Sequence, residues 1–167
     1  HFDLKRQTNA NEIREAINNH LKPHPIAVIK AEEVTDDFHA RFSAKKRYYR
    51  YDIMNRRPPL TLDKGKYWRV GQSLDVKLMI QASKYLEGNH DFTTFRSTHC
   101  QSKSPVKTID SIIIEQSGLE ISILISAKSF LHNQVRSITG SLKLVGEGKW
   151  ESQKIKEILE KKDRTLC

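Results

Sequence analysis

Hydrophobic residues recur at helical spacing in four segments of the chain. In residues 9–21, three hydrophobic residues lie four positions apart, which predicts a helix. Asn9 and Glu12 match a capping box at its start. The other three predicted helices cover residues 74–86, 130–145 and 152–161. Ser129 is the expected N-cap of the second of these, since a serine hydroxyl can accept a free N–H of the first helical turn. We therefore expect one short helix early in the chain and three in its remainder.

Apolar runs, some of them alternating with polar residues, predict four strands. They cover residues 26–34, 48–54, 106–116 and 119–127. The last two are joined at Ser117 and Gly118, a connection typical of a hairpin. In the second of them, Ile121, Ile123 and Ile125 place the apolar side chains on one face. The order of helices and strands indicates an α+β protein whose mainly antiparallel sheet is backed by helices.

The chain is basic, and its charge is concentrated in one segment. It has 167 residues, and its 29 lysines and arginines against 20 acidic residues give a net charge of +9. Residues 41–70 hold ten basic and two acidic residues, together with six of the 13 aromatic residues. Because cations neutralise phosphates and aromatic rings stack on exposed bases, this segment predicts binding of RNA more than of duplex DNA. The alternative is a solvated charged face with ordinary strand tyrosines.

Several classes of protein are disfavoured by what the sequence lacks. Its apolar runs are short, such as residues 112–114, whereas a membrane-spanning helix needs about 20 apolar residues. Cys100 and Cys167 are far apart, which disfavours a disulfide framework or a zinc site and favours a reduced, cytoplasmic protein. No glycine-rich phosphate loop, pair of metal ligands or serine-nucleophile motif is present. The residues alone thus predict an RNA-binding α+β domain.

Three polar features have more than one interpretation. Arg136 lies on a polar stripe of the helix predicted over residues 130–145, where it could be a surface residue without a role or could bind a carboxylate through two hydrogen bonds. The mixed loops at residues 38–42 and 91–96 could bind a ligand, although we expect Phe92 and Phe95 to anchor the second loop to the core. Cys100 is not expected to be a nucleophile, because the sequence indicates no histidine partner for it.

Five short motifs occur in an order that resembles one family. They are FHARFSA at residues 38–44, RYYRY at 47–51, GNHDFTTF at 88–95, FLHNQVR at 130–136 and DRT at 163–165. Together they resemble the tRNA pseudouridine synthase A family. The resemblance implies a pseudouridine synthase fold with a ferredoxin-like subdomain, and an isomerase that converts uridines 38, 39 and 40 of the tRNA anticodon stem-loop to pseudouridine. It also implies no cofactor and no metal, tRNA as the partner, no membrane, a cytoplasmic location, and a homodimer for the full-length enzyme.

The resemblance further implies roles for individual residues. Arg136 matches the arginine that pairs with the catalytic aspartate, and Tyr49 matches the tyrosine that packs against the target base. The residues that match tRNA-contacting positions are Phe38, His39, Ala40, Arg41, Phe42, Arg57, His99, Cys100, Gln101, Ser102 and Lys103. An aromatic face and phosphate-binding cations suit such a substrate, because they offset the cost of flipping a uridine out of a stem.

The chain departs from the family pattern in two places, and these departures change what we expect of its activity. The family's Gly-Arg-Thr-Asp-Ala-Gly motif, which carries the nucleophilic aspartate, is absent from these 167 residues. We therefore expect a C-terminal part of the enzyme that is inactive alone, with residues 1–40 as the tail of the N-terminal subdomain and connecting loop, and residues 41–167 as the C-terminal α/β subdomain. Gln134 replaces a methionine, with an expected effect on packing only. The alternatives are a non-catalytic RNA-binding domain and a structural basic protein.

Overall fold

The computed structural model describes all 167 residues, which form two compact units. The first unit comprises His1–Ala44 and the second Lys45–Cys167. No residue of the first unit is buried, and the second contains all of the buried hydrophobic residues. The assignment of residues 1–40 and 41–167 to two subdomains of an enzyme stays a prediction.

The first unit contains one helix, α1, which spans Ala10–Leu21. The predicted capping box is confirmed, since the backbone N–H of Glu12 donates to Asn9 Oδ1 at 2.9 Å and Asn9 Nδ2 donates to Glu12 Oε1 at 2.8 Å. A helix of this length is marginal in water without tertiary packing. The cap therefore supplies an important part of the order of α1.

The strand predicted over residues 26–34 is wrong, because this segment is not part of a sheet. The backbone N–H of Val28 donates to Asn18 Oδ1 at 2.7 Å, and its carbonyl accepts from Asn18 Nδ2 at 3.0 Å. A side-chain amide thus takes both of the backbone groups that a neighbouring strand would otherwise pair. The apolar run was a true pattern in the sequence, but its hydrogen-bond partner is a helix residue.

The second unit is built on a five-stranded sheet with the order β2-β1-β5-β4-β3. The strands are β1 Arg47–Asn55, β2 Trp68–Val70, β3 Gly88–Asp91, β4 Val106–Ser117 and β5 Glu120–Ala127. All pairs are antiparallel except β1 with β2. The predicted α+β fold with a mainly antiparallel sheet and a β4–β5 hairpin is confirmed. β2 and β3, of three and four residues, are too short to give a hydrophobic period and are not predicted.

The helices of the second unit are α2 Val76–Ser83, α3 Gln134–Gly146 and α4 Gln153–Lys161, with short 3-10 turns at Lys84–Leu86, Thr93–Phe95 and Arg164–Leu166. The N-cap of α3 is Asn133, so the prediction of Ser129 is wrong. Asn133 adopts a left-handed conformation with φ 60°, and Gln134 Oε1 accepts the N–H of Leu131 at 2.8 Å. The residues before Gln134 therefore form a separate turn, and Gln134 has a polar contact besides its packing role.

The core lies between the three helices and one face of the sheet. Ile121, Ile123 and Ile125 are at most 1% exposed, which confirms the predicted apolar face of β5. Phe92 and Phe95 are fully buried in the same cluster, so they anchor their loop as expected. None of the helices combines the length and the apolar character that a membrane span requires.

Candidate functional site

Arg136 is exposed on the first turn of α3. It is the third helical residue after the N-cap Asn133. Its guanidinium forms no hydrogen bond or ion pair within the chain, although this group carries five N–H donors. Free donors in this planar arrangement can bind a carboxylate through two parallel hydrogen bonds and favour its ionised form. The position is therefore suited to pairing with an acidic group.

Tyr49 lies on β1 and contacts the segment that leads into α3. It pairs with Ile125 of β5, and its side chain faces the helices. Its ring packs edge-on against Phe130, with 5.2 Å between the ring centroids and an interplanar angle of 86°. The side chain is 50% exposed. It therefore retains an accessible ring surface, as stacking on a base requires.

A second tyrosine, Tyr51, lies on the same face of β1, because side chains two residues apart in a strand point the same way. It is partly buried, and its ring lies 6.0 Å from the ring of Trp68 in a T-shaped arrangement. The family resemblance does not assign a role to Tyr51, although strand alternation from Tyr49 indicates it. Tyr49 is the more accessible of the two, and Tyr51 is the alternative on geometric grounds.

The loop over residues 38–42, in the first unit, is a compact turn organised around His39. His39 is half-buried, and its Nδ1 accepts the backbone N–H groups of Arg41 and Phe42 at 3.2 and 3.3 Å. The ring of Phe42 stacks on the His39 ring with 4.3 Å between centroids, and the Arg41 guanidinium lies 5.6 Å from the Phe42 ring centroid. The remaining side chains are exposed. Phe38 is 39% exposed and Phe42 is 74% exposed, so both rings are accessible.

In the loop over residues 99–103, in the second unit, exposed residues alternate with half-buried ones. The exposed residues are His99, Gln101 and Lys103. Cys100 and Ser102 are half-buried, and their carbonyl oxygens accept hydrogen bonds from Arg96 Nη2 at 3.0 and 3.3 Å. The loop therefore presents three polar side chains to solvent from a backbone that one arginine fixes.

The Cys100 thiol lies in an environment that favours its anionic form. Burial alone would raise the pKa of the thiol, but the backbone N–H groups of His132 and Ser102 and the Arg96 guanidinium bring this pKa below its usual range. The His132 N–H lies 3.4 Å from Cys100 Sγ. This contact uses the backbone of His132 and not its imidazole.

Tyr49 lies near the start of β1, and Arg57 follows Asn55, the last residue of this strand. At the usual rise of a strand, Tyr49 and Asn55 are about 20 Å apart. The Arg57 side chain is exposed and lines an open cleft together with Arg56 and Arg69. Arg69 Nη1 donates to the Arg57 carbonyl at 2.6 Å. Three guanidinium groups around one cleft suit the phosphates of RNA. The family resemblance assigns a role to Arg57 alone, and the structure places Arg56 and Arg69 beside it.

Glu147 stands at the other end of α3 with a buried carboxylate. Its side chain is 1% exposed and forms ion pairs with Lys143 at 2.7 Å and Lys149 at 2.9 Å. Burial alone would raise the pKa of this carboxyl group, but the two ammonium groups bring it below its usual range. No group of three or more His, Cys, Asp or Glu side chains is arranged to hold a metal ion.

Comparison with known proteins assigns the chain to a family. A family model described as tRNA pseudouridine synthase matches residues 82–167. The tRNA pseudouridine synthase A of Parvibaculum lavamentivorans is 53% identical over the whole chain, which spans 68% of that relative. The chain belongs to the tRNA pseudouridine synthase family. Its members are isomerases of tRNA modification, and the resemblance read from the five motifs is confirmed.

Other relatives give the same result over both units. The proteins named tRNA pseudouridine synthase A from Maricaulis maris and Xanthobacter autotrophicus are 52% and 51% identical over the whole chain, which spans 67% and 68% of their lengths. The family model covers Arg136 and the loop over residues 99–103. Tyr49, Arg57 and the loop over residues 38–42 lie within the longer matches to these synthases.

Proposed function

We propose that this chain is the C-terminal part of a tRNA pseudouridine synthase that converts uridines 38, 39 and 40 of the anticodon stem-loop to pseudouridine. The observation that carries the proposal is the exposed, unpartnered guanidinium of Arg136 in a chain of this family. A guanidinium of this kind binds a carboxylate, and the reaction uses a carboxylate as its nucleophile.

In the proposed reaction, an aspartate outside these 167 residues attacks the flipped uridine nucleotide. The carboxylate bonds to the ribose C1′ as the bond from C1′ to N1 breaks. The detached base rotates, and a bond from C1′ to C5 forms as the bond from C1′ to the carboxylate breaks, which restores the free aspartate. C5 loses a proton and N1 gains one, so the product is an isomer of the substrate. Arg136 holds the aspartate ionised and oriented, and Tyr49 packs against the base. The exposed residues of the two loops and Arg57 bind the tRNA, and their cations neutralise its phosphates.

The test measures pseudouridine formation on an anticodon stem-loop, with this chain alone and with the full-length protein. We expect product at the three positions from the full-length protein and none from the chain alone, since the aspartate motif is absent from it. Turnover by the chain alone would contradict the proposed source of the nucleophile. Absence of product with the full-length protein would contradict the enzymatic function itself.

A non-catalytic RNA-binding domain is the second candidate, favoured by the basic and aromatic segment over residues 41–70 and by the cleft at Arg57. This candidate predicts that tRNA binding depends on salt and that substitutions of the basic residues lower the affinity for tRNA. The enzymatic proposal predicts instead that Arg136→Gln abolishes turnover in the full-length protein while tRNA binding persists. Measuring both quantities on the same variant separates the two candidates.

A homodimer and a cytoplasmic location complete the proposal, because the family resemblance implies both. Light scattering on the full-length protein measures its mass in solution, and a monomer mass would contradict the dimer. Fluorescence microscopy of a tagged full-length protein tests the location.

A further inference from the structure

Arg96 uses its polar groups to fix neighbouring backbone. It follows the buried turn Thr93–Phe95 and is itself half-buried. Its Nη2 donates two hydrogen bonds to loop carbonyls. Its own carbonyl oxygen accepts a hydrogen bond from Arg164 Nε at 3.0 Å. It forms no ion pair with a carboxylate in the chain. The side chain therefore holds the loop over residues 99–103 on the core by hydrogen bonds to backbone alone.

The same loop is tied to the start of α3 by two further hydrogen bonds. The Ser97 N–H donates to the His132 carbonyl at 3.0 Å, and the His132 N–H donates to Cys100 Sγ at 3.4 Å. Both backbone groups of His132 are thus held by the segment that Arg96 fixes. Asn133 follows as the N-cap of α3, and Arg136 lies in the first helical turn. A shift of the loop over residues 99–103 therefore shifts His132, and with it the first turn of α3.

We propose that Arg96 is a positioning residue of the reaction, which joins the loop over residues 99–103 to the start of α3 and so fixes Arg136 relative to the bound tRNA. The inference rests on the proposed function, because that function assigns tRNA contact to the loop and aspartate binding to Arg136. Misplacing a catalytic group by about 1 Å can cost about a hundredfold in rate. Lysine cannot replace Arg96 fully, because an ammonium lacks the planar fork of donors.

The first experiment measures kcat and KM for tRNA in the full-length synthase with Arg96→Gln and Arg96→Lys. Arg96→Gln lowers kcat by about ten- to a hundredfold, with a smaller change of KM, and Arg96→Lys lowers kcat less. Because Arg96 acts through Arg136, the double variant with Arg136→Gln is no slower than Arg136→Gln alone. Lys154→Gln is the control, since this exposed α4 cation pairs only with Glu157 and leaves both constants unchanged.

The second experiment uses the Cys100 thiol as a local reporter in this chain, with Cys167→Ser to remove the other thiol. The rate of alkylation by iodoacetamide is measured against pH. In Arg96→Gln the midpoint of this profile moves to higher pH, because the thiolate loses the guanidinium beside it. In the wild-type chain the groups that face the thiol are the His132 and Ser102 N–H groups and the Arg96 guanidinium, and Lys107 Nζ contacts Ser102 Oγ of the same loop. This readout needs no catalysis.

The outcomes separate the inference from the proposed function. An unchanged kcat in Arg96→Gln, an unchanged thiol midpoint, or a loss that adds to that of Arg136→Gln overturns the positioning role. A full-length protein without activity contradicts the proposed function. The alkylation rate above the midpoint then still decides whether Arg96 holds the loop, because a released loop exposes the half-buried thiol and raises this rate. If Arg96→Gln fails to fold, Cys100→Ala removes the thiol that accepts the His132 N–H and keeps the hydrogen bonds from Arg96 to the loop carbonyls. It then lowers kcat in the same direction by a smaller factor, and an unchanged kcat overturns the role.

Discussion

The first and last turns of α3 each carry a charged residue, but in opposite environments. Arg136 in the first turn is exposed and has no partner within the chain. Glu147, the C-cap, is 1% exposed and is paired with Lys143 and Lys149. A negative charge at the C-terminal end of a helix opposes the helix dipole, so Glu147 depends on its two lysines. Arg136 receives no comparable compensation and needs none, because water solvates it.

The difference indicates which charge completes the fold and which is left for a ligand. The charge of the buried Glu147 carboxylate is compensated within the chain by two ion pairs. An exposed arginine with free donors contributes little to the fold, and its donors become useful when an acidic group arrives. We therefore expect substitutions at the start of α3 to change activity and substitutions at its end to change stability.

The largest effect is expected for Arg136→Gln in the full-length synthase. Loss of the guanidinium leaves the catalytic aspartate without its ionic partner, so kcat falls by about a hundredfold or more. Arg136→Lys also impairs turnover, because lysine cannot reproduce two parallel hydrogen bonds. Single-turnover assays measure the loss. The free energy of unfolding changes by less than about 0.5 kcal/mol, and a larger destabilisation would break the comparison.

The next effect is expected for Tyr49→Ala, because Tyr49 contacts Phe130 just before α3. Loss of stacking on the base lowers kcat by about tenfold, and tRNA affinity falls less. Tyr49→Phe is the matched control, since it keeps the ring and removes only the hydroxyl. Equal losses in turnover and affinity would count against a stacking role. A larger loss of turnover in Tyr51→Ala than in Tyr49→Ala would transfer this role to Tyr51.

Features that depend on local sequence could be predicted, and the β4–β5 hairpin is the clearest case. Its alternating isoleucines and its turn at Gly118, with φ 58°, are neighbours in sequence. β2 could not be predicted in the same way, because three residues show no period. Trp68 pairs with Ile53, so the strand is defined by a partner that is distant in sequence.

The candidate site shows the same division. The family resemblance indicates Arg136 and the loop over residues 99–103, but the helical period gives no information on which polar positions are paired. Arg136 and Glu147 both lie at polar positions of one helix, and only tertiary packing makes one exposed and the other buried. The contact of Cys100 with the His132 backbone likewise joins residues 32 positions apart. Such contacts follow from the fold and not from a local pattern.

At the other end of α3, Glu147→Gln is expected to lower the free energy of unfolding by about 1 to 2 kcal/mol near neutral pH. The folded-state pKa of Glu147 lies below its unfolded value, so its stabilisation is complete above the unfolded pKa of about 4.3. This stabilisation is lost as the pH falls through the folded pKa. Urea unfolding of wild type and variant across this range measures it. A difference that persists in acid would mean that the ion pairs are not its source.

The smallest effect is expected for Lys149→Gln. The Lys149 side chain is 56% exposed, whereas Lys143, the other partner of Glu147, is 20% exposed. Solvent screens the exposed ammonium, and Lys143 still pairs with the carboxylate, so the loss is at most about 0.5 kcal/mol and shrinks as salt is added. Lys154→Gln, which breaks an exposed pair with Glu157 on α4, is the matched control. If Lys149→Gln destabilises the fold as much as Glu147→Gln, both lysines are needed to keep the carboxylate charged. The buried end of α3 then depends on the exposed Lys149 as well as on the more buried Lys143.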